Sequence, residues 1–193
     1  MSLIVAAVLG YLLGAVPFGL VIARLFGLGD LRQIGSGNIG ATNVLRTGNK
    51  PAAALTLLLD AGKGAIAVFL ARALIGENAA MVAGVAAFLG HCYPVYLGFK
   101  GGKGVATFLG TLLALAWPLG LIACAMWAVI AAAFRYSSLA ALVAAGTGPL
   151  WALILGQPRL ALALGAMAIL IFLRHSQNIA RLRAGTEPKI GQK

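Results

Sequence analysis

Six apolar runs, at about 3–26, 52–72, 79–98, 105–134, 138–156 and 160–174, leave few stretches of this chain for which water is a good solvent. Most come close to the roughly 20 residues that an α-helix needs to cross the hydrocarbon core of a bilayer. In lipid each backbone N–H and C=O must be paired inside the protein, so runs of this kind form helices. Charged residues make up only 10% of 193 positions, against about 25% in a soluble domain. A chain so composed cannot cover its own surface in water. The expectation is an all-α integral membrane protein with one transmembrane domain over 1–193. Met1 leads into the first run without a basic segment, which reads as a retained span rather than a cleaved signal.

The placement of basic residues sets the orientation. The formal charge is +11, from fifteen Lys and Arg against four acids. In a soluble protein that would suggest nucleic acid. Here the cations lie between apolar runs, so no nucleic-acid partner is expected. The positive-inside bias and the binding of anionic lipid or phosphate share the explanation. Arg24, Arg32, Arg46 and Lys50 mark the first loop, Lys100 and Lys103 the loop at 98–104, and Arg135 a third. Arg174, Arg181, Arg183, Lys189 and Lys193 mark the tail. These segments are expected inside, with the N-terminus outside and the C-terminus cytoplasmic. Between Lys103 and Arg135 the chain must then cross an even number of times in about 30 residues. Trp117-Pro118 interrupts that stretch, since proline removes a helix hydrogen bond. Two short helices or a re-entrant hairpin satisfy the charges and give about seven transmembrane helices, some short or broken. Six spans with the charge rule violated is the alternative. The 26 glycines suit close helix packing in lipid, and Cys92 and Cys124 read as buried free thiols.

Polar chemistry is confined to three places. Gly35-Ser36-Gly37-Asn38-Ile39-Gly40-Ala41-Thr42-Asn43, followed by Arg46, gathers glycines, hydroxyls and amides in an otherwise apolar chain. Glycine permits close backbone approach to a ligand, and successive N–H groups form an anion-binding concavity. Arg46 adds a charge suited to phosphate. The spacing is not that of a Walker loop. The run from His91-Cys92-Tyr93-Pro94 to Lys100-Gly101-Gly102-Lys103-Gly104 places a glycine turn and a lysine before a helix N-terminus, where anions bind. Arg174, His175, Asn178 and Arg181 are spaced to share one face of a helix leaving the membrane. By itself that pattern is better read as a basic interfacial anchor. Ser138 is either a phosphate donor or a helix cap. Asp60 and Lys63, three apart inside the second run, can pair; whether they steady the first loop or touch a ligand stays open. The acids are Asp30, Asp60, Glu77 and Glu187, which form no cluster that would hold a metal. No metal or cofactor is expected, and any chemistry must use a pre-activated substrate and electrostatic stabilisation.

Taken together, these three blocks resemble the bacterial acyl-phosphate-dependent glycerol-3-phosphate acyltransferases. The blocks stand in that family's order and spacing, and the similarity runs through nearly the whole chain. The resemblance implies acyl transfer from acyl phosphate to the 1-hydroxyl of sn-glycerol 3-phosphate, giving lysophosphatidate and phosphate, the opening step of phospholipid synthesis. It implies a multi-pass protein of the bacterial cytoplasmic (inner) membrane with its active site facing the cytoplasm. The expected partners are the two substrates and membrane lipid, with no obligatory protein partner. The family's essential serine and arginine match Ser36 and Arg46. Its phosphate-binding glycines and lysine match Gly101, Gly102, Lys103 and Gly104, and its histidine and asparagine match His175 and Asn178. Glu187 matches a structural acidic residue. Ser36, Arg46, Lys103, His175 and Asn178 are thus the catalytic candidates. Gly37, Asn38, Gly40, Thr42, Asn43, His91 and Ser138 join the second-block glycines as substrate-binding candidates. Ser176, Gln177 and Ala141 depart from the family pattern without removing any of these groups. The acceptor's own phosphate, His91 or His175 would take the hydroxyl proton. A phosphate transporter is the rival reading, though it would need sites reachable from both faces.

Overall fold

The structure is a computed structural model and describes residues 2–192, among which there are ten α-helices and no strand. Helices α1 (Ser2–Gly14) and α2 (Phe18–Leu25) make one apolar stretch broken before Pro17-Phe18, and α3 (Ala41–Leu45) is a short turn inside the first loop. The helices α4 (Lys50–Leu74), α5 (Glu77–Cys92), α6 (Val105–Leu115) and α7 (Trp117–Phe134) follow. The last are α8 (Ser137–Ile154), α9 (Pro158–Arg174) and α10 (Ser176–Arg183). Five stretches are long and apolar enough to cross a membrane: 2–25, 50–74, 77–97, 117–134 and 137–154. The pair α9 and α10 makes a sixth only when counted as one span, and it is bent by 63° between the two helices. With 11 residues, α6 is about 16 Å long at 1.5 Å per residue and too short to cross alone.

The ambiguous stretch 105–134 is therefore two helices. The break falls at Ala116 (φ −150°, ψ 88°), and Pro118 sits in the first turn of α7, where its missing N–H costs nothing. The two helices double back on each other: a Cβ on Gly120 would lie 2.5 Å from Leu113 Cα. Together with α6, seven apolar helical segments make up the body. The expected run 79–98 ends earlier as a helix, at Cys92, and continues through Pro94 into a short turn closed by left-handed Gly98 (φ 55°).

Small residues hold the body together and large ones face outward, the pattern expected where lipid replaces water. Ile4, Leu9, Leu58, Leu74 and Leu162 are all more than 60% exposed, while alanines dominate the buried positions. Added Cβ atoms on Gly10 and Gly14 would lie 2.5 and 2.0 Å from the carbonyl oxygens of Ala83 and Ala87, so α1 and α5 touch backbone to backbone and run parallel. Helices α4 and α6 also run parallel. Thr107 Oγ1 donates to the Asp60 carbonyl at 2.9 Å, and Arg72 donates to the Ala114 carbonyl at 2.7 Å. Since Asp60 lies ten residues into α4, the start of α6 and the end of α5 sit about 15 Å from the start of α4. The loop between them is recessed into the body. At the same end lie the first loop, the α7–α8 turn and the tail, as the contacts below show.

Candidate active site

The first loop is built around Asn43, which is 1% exposed. Its Nδ2 donates to the carbonyls of Leu31 and Ile34 at 2.9 and 3.0 Å. Its Oδ1 accepts from Ser36 N at 3.2 Å and from Arg46 Nη1 at 3.3 Å. One buried amide thus fixes the two loop residues that carry the hydroxyl and the charge. Gly35 (φ 52°) is required beside it, because a Cβ there would lie 2.7 Å from both Arg46 Cδ and Asn43 Oδ1. Leu31 and Val44, both fully buried with Ile22 and Ala52, anchor the loop on α2 and α4. Thr42 Oγ1 lies 3.1 Å from Ser137 Oγ, which ties the loop to the start of α8.

The second loop is fastened from two sides. Gly102 N donates to the His91 carbonyl at 3.0 Å, and the His91 ring presses on Gly102, where an added Cβ would stand 2.1 Å from Nε2. On the other side of the ring, Nδ1 is 3.5 Å from Asp60 Oδ1. Asp60 pairs with Lys63 at 2.8 Å, and Lys63 Nζ also donates to the Val16 carbonyl at 2.8 Å. The ion pair thus binds α4 to the break in the first span, and through His91 it backs the glycine turn. The first loop, one of the two roles the sequence left open for the pair, is braced by Asn43, and Asp60 itself lies on the wall of the cavity described below. Arg174 completes the fastening by donating to the carbonyls of Gly101 and Gly102 at 2.6 and 3.1 Å.

The third segment does not form one continuous helix face. The chain bends at His175, so Arg174 ends α9 against the glycine turn while Asn178 and Arg181 belong to α10. Bending lets one short segment serve two directions. His175 Nδ1 lies 2.8 Å from the Ile171 carbonyl; it must be the protonated nitrogen, leaving Nε2 with a lone pair when the ring is neutral. Asn178 accepts from Lys103 Nζ and donates to Glu187 Oε1 at 2.6 Å. Ser138 Oγ donates to the same oxygen at 2.7 Å, and Arg181 Nε to the other at 2.7 Å. Glu187 is therefore the hub that closes the tail over the site. A second pair of bonds, Ile190 N to the Arg135 carbonyl at 2.7 Å and Arg135 Nη2 to the Ile190 carbonyl at 3.3 Å, holds the tail beyond it.

These elements enclose a cavity of about 310 Å³. Its polar part is lined by Ser36, Asn38, Gly40, Thr42, Asn43, Arg46, Asp60, His91, Lys103, Gly104, Ser137, Ser138, His175, Asn178, Glu187 and Lys189. Its apolar part is lined by Leu57 of α4, Leu109 of α6, and Cys124 and Trp127 of α7. Leu57 is also half-exposed on α4, so the cavity is open along its apolar side. Electrostatics favour anions. Burial pulls the Lys103 ammonium down to about 8, partly opposed by Glu187 and assisted by Arg181, Arg46 and Arg174. Burial likewise lowers Arg46 from its usual value. Burial pushes the Glu187 carboxyl upward, but the hydrogen bonds from Ser138, Asn178 and Arg181 outweigh it and hold the carboxyl below its usual range. Arg46, Lys103 and Lys189 line the cavity, while Asp60 is paired with Lys63 and Glu187 with Arg181, which leaves an excess of positive charge for phosphate.

All three sequence blocks therefore meet at one cavity. Gly37, Gly101 and Gly102 are not on its wall; Gly101 and Gly102 lie behind it, and an alanine at either would collide with His91 or Pro94. Arg174 was legible as part of the third block but not as a brace of the second, and the apolar wall of Leu57, Leu109 and Trp127 was not legible, because the partners lie far away in the chain.

A model of the family described as glycerol-3-phosphate acyltransferase matches residues 4–185. A relative of that name from Jannaschia sp. (strain CCS1) is 74% identical over 186 residues, covering 96% of this chain and 92% of the relative. Another, from Cereibacter sphaeroides (strain ATCC 17025 / ATH 2.4.3), is 66% identical over 194 residues and covers 100% and 92%. Among solved structures, the chain resembles PlsY, an integral membrane glycerol 3-phosphate acyltransferase, in its glycerol 3-phosphate form. The TM-score is 0.93 at 40% identity, covering 99% of this chain and 96% of that one. Its lysophosphatidic acid form gives 0.91 at 39% identity with the same coverage.

Proposed function

The chain belongs to the glycerol-3-phosphate acyltransferase family, and we propose that it transfers a fatty acyl group from an acyl phosphate to the 1-hydroxyl of sn-glycerol 3-phosphate. Lysophosphatidate and inorganic phosphate are the products, and the reaction opens phospholipid synthesis. The observation that carries this reading is the shape of this cavity: cations and hydroxyls at one end, an apolar wall at the other. A phosphate-bearing donor with a fatty chain matches both ends at once.

An acyl phosphate is a mixed anhydride, activated enough to react without a covalent enzyme intermediate. The glycerol hydroxyl attacks the carbonyl carbon, the carbon–oxygen bond to phosphate breaks, and the phosphate leaves with the electron pair. Arg46, Ser36, Lys103 and Asn178 hold the phosphates and stabilise charge developing on the carbonyl oxygen and the leaving group. Asn38, Gly40, Thr42, Gly104 and Ser138 complete the walls, and Asn43, Gly101, Gly102 and His91 position them. Both nearby carboxylates are engaged, Asp60 with Lys63 and Glu187 with Arg181. His91 is wedged between Asp60 and Gly102, so His175 Nε2 is the protein group proposed to accept the hydroxyl proton. His175→Gln should therefore abolish turnover and spare substrate binding; full activity in that variant would assign the proton to a substrate phosphate.

The whole chain acts as one transmembrane domain of the bacterial cytoplasmic membrane. The end that carries the site also carries Arg46, Lys103, Arg135, Arg174 and Arg181, which by the positive-inside bias turns it to the cytoplasm. The test uses protein in lipid with labelled glycerol 3-phosphate and palmitoyl phosphate, palmitoyl-CoA or acyl-carrier protein, one donor at a time. Lysophosphatidate from acyl phosphate alone, lost in Ser36→Ala and Arg46→Ala, is the expected result. Formation only from a thioester would refute the donor. No product, with labelled phosphate instead entering liposomes, would favour a transporter.

A further inference from the structure

We propose that Arg174 is a positioning residue for acyl transfer: its guanidinium holds the Gly101–Gly102 turn in the one conformation that presents Lys103 and the start of α6 to a substrate phosphate. This rests on the phosphate-binding reading of the cavity given above.

Arg174 Nη2 donates to the Gly101 carbonyl at 2.6 Å and Nε to the Gly102 carbonyl at 3.1 Å. The guanidinium also lies over the Tyr93 ring, 5.3 Å from its centroid, which fixes its plane. Because the two carbonyls are consecutive, a single side chain sets two successive peptide planes. A trans peptide points its N–H opposite to its C=O. Turning the Gly102 carbonyl onto Arg174 therefore turns the Lys103 N–H away from it. The Gly102 N–H is already taken by the His91 carbonyl at 3.0 Å. Among the described residues, the N–H groups of Lys103 and Gly104 have no backbone acceptor, and both residues line the cavity. The turn is thus fastened from behind by Arg174 and His91, with its free donors left at the front.

Arg174 is not on the cavity wall, so it acts through the turn rather than on substrate. Glycines make such a fastening necessary. Gly101 and Gly102 admit no side chain here because of His91 and Pro94, and a glycine pair has more backbone freedom to lose than any other. Only arginine can hold the turn in this way, since its fork reaches two acceptors at once and stacks on an aromatic ring, whereas a lysine ammonium is a point charge. The bend at His175 lets neighbouring residues work on opposite sides of the turn. It directs Arg174 behind the turn, while His175 and Asn178, one and four residues later, face the cavity in front of it.

The test compares full-length wild type, Arg174→Lys and Arg174→Ala in the same lipid and the same acyl-transfer assay, together with thermal unfolding. Wild-type turnover checks the underlying reading, so its absence would sink that reading and not this inference. With wild type active, both variants should unfold as wild type does within a few degrees yet lose about 10²-fold in kcat/KM, the scale of an ångström-sized misplacement. Lysine should not rescue. Added guanidinium ion, far below denaturing concentrations, should restore part of the activity of Arg174→Ala, and methylammonium should not. Wild-type kcat/KM in Arg174→Lys would overturn the proposal. So would a loss in Arg174→Ala that matches the loss of folded protein and does not respond to guanidinium.

Discussion

Gly102→Ala is the perturbation whose consequence follows most directly from the geometry. An alanine Cβ at this position would stand 2.1 Å from His91 Nε2 and 3.0 Å from two of its ring carbons. Reaching an ordinary contact of 3.4 Å requires the turn or the ring to give by about 1.3 Å. The ring has little room to do so, being 5% exposed with Asp60 at its other nitrogen. The turn must move, and Lys103 moves with it. Overpacking of this kind costs about 1–3 kcal/mol of stability, and an ångström of misplacement costs about 10²-fold in rate. The assay is kcat/KM for lysophosphatidate formation alongside thermal unfolding. Removing the obstacle should return part of the loss: Gly102→Ala with His91→Ala should be more active than the two single losses combined predict, by a coupling of about 0.5–3 kcal/mol. Wild-type kcat/KM in Gly102→Ala, or simple additivity in the double variant, would refute the claim that the ring and the turn set each other's position.

Three further expectations concern charge and the loop core. Lys103 is charged below about 8 and loses its proton above it, so kcat/KM should fall as pH rises through that value, and Lys103→Arg should carry the decline to higher pH. Glu187 is held below its usual range, so the stability it contributes is present above its unfolded value, near 4.3, and is lost as pH falls through the folded one. Wild type should therefore exceed Glu187→Gln in melting temperature at neutral pH, with the gap closing in acid; a gap that persists below the folded value would count against the hub. Asn43→Ala removes one of the two hydrogen bonds that each of the Leu31 and Ile34 carbonyls accepts, the others coming from Ile34 N and Gly37 N, at about 0.5–1.5 kcal/mol for each bond lost. It should lower the unfolding temperature and, by freeing Ser36 and Arg46, also kcat.

Much of this was legible in the sequence, for reasons that differ from feature to feature. Apolar runs report helices because lipid leaves the backbone no other partner, and the Trp117-Pro118 break in 105–134 was marked by proline chemistry. Ser36, Arg46, Lys103 and Asn178 announced themselves as polar groups that an apolar chain would otherwise exclude. What stayed hidden depends on long-range packing. Nothing near Arg174 says that it reaches back 72 residues to Gly102 rather than serving as an interfacial anchor. The bend at His175 was equally silent, since a regular helix satisfies the same spacing. Asn43 looked like one more ligand donor in a polar loop; only its burial shows that both ends of its amide are already in use. Gly62-Lys63-Gly64 and Gly102-Lys103-Gly104 share residues but not a setting, for Lys63 lies inside α4 and pairs with Asp60, whereas Lys103 lies in a loop at the cavity.

The most direct test of acyl transfer at the carbonyl carbon follows one oxygen atom. Glycerol 3-phosphate labelled with ¹⁸O at its 1-hydroxyl would be turned over with unlabelled palmitoyl phosphate by the lipid-reconstituted protein, and both products weighed by mass spectrometry. Attack on the carbonyl by that hydroxyl keeps the label wholly in the ester of lysophosphatidate and leaves the released phosphate unlabelled. Label appearing in a newly phosphorylated glycerol, with free palmitate as the other product, would mean attack at phosphorus and would contradict the proposed reaction.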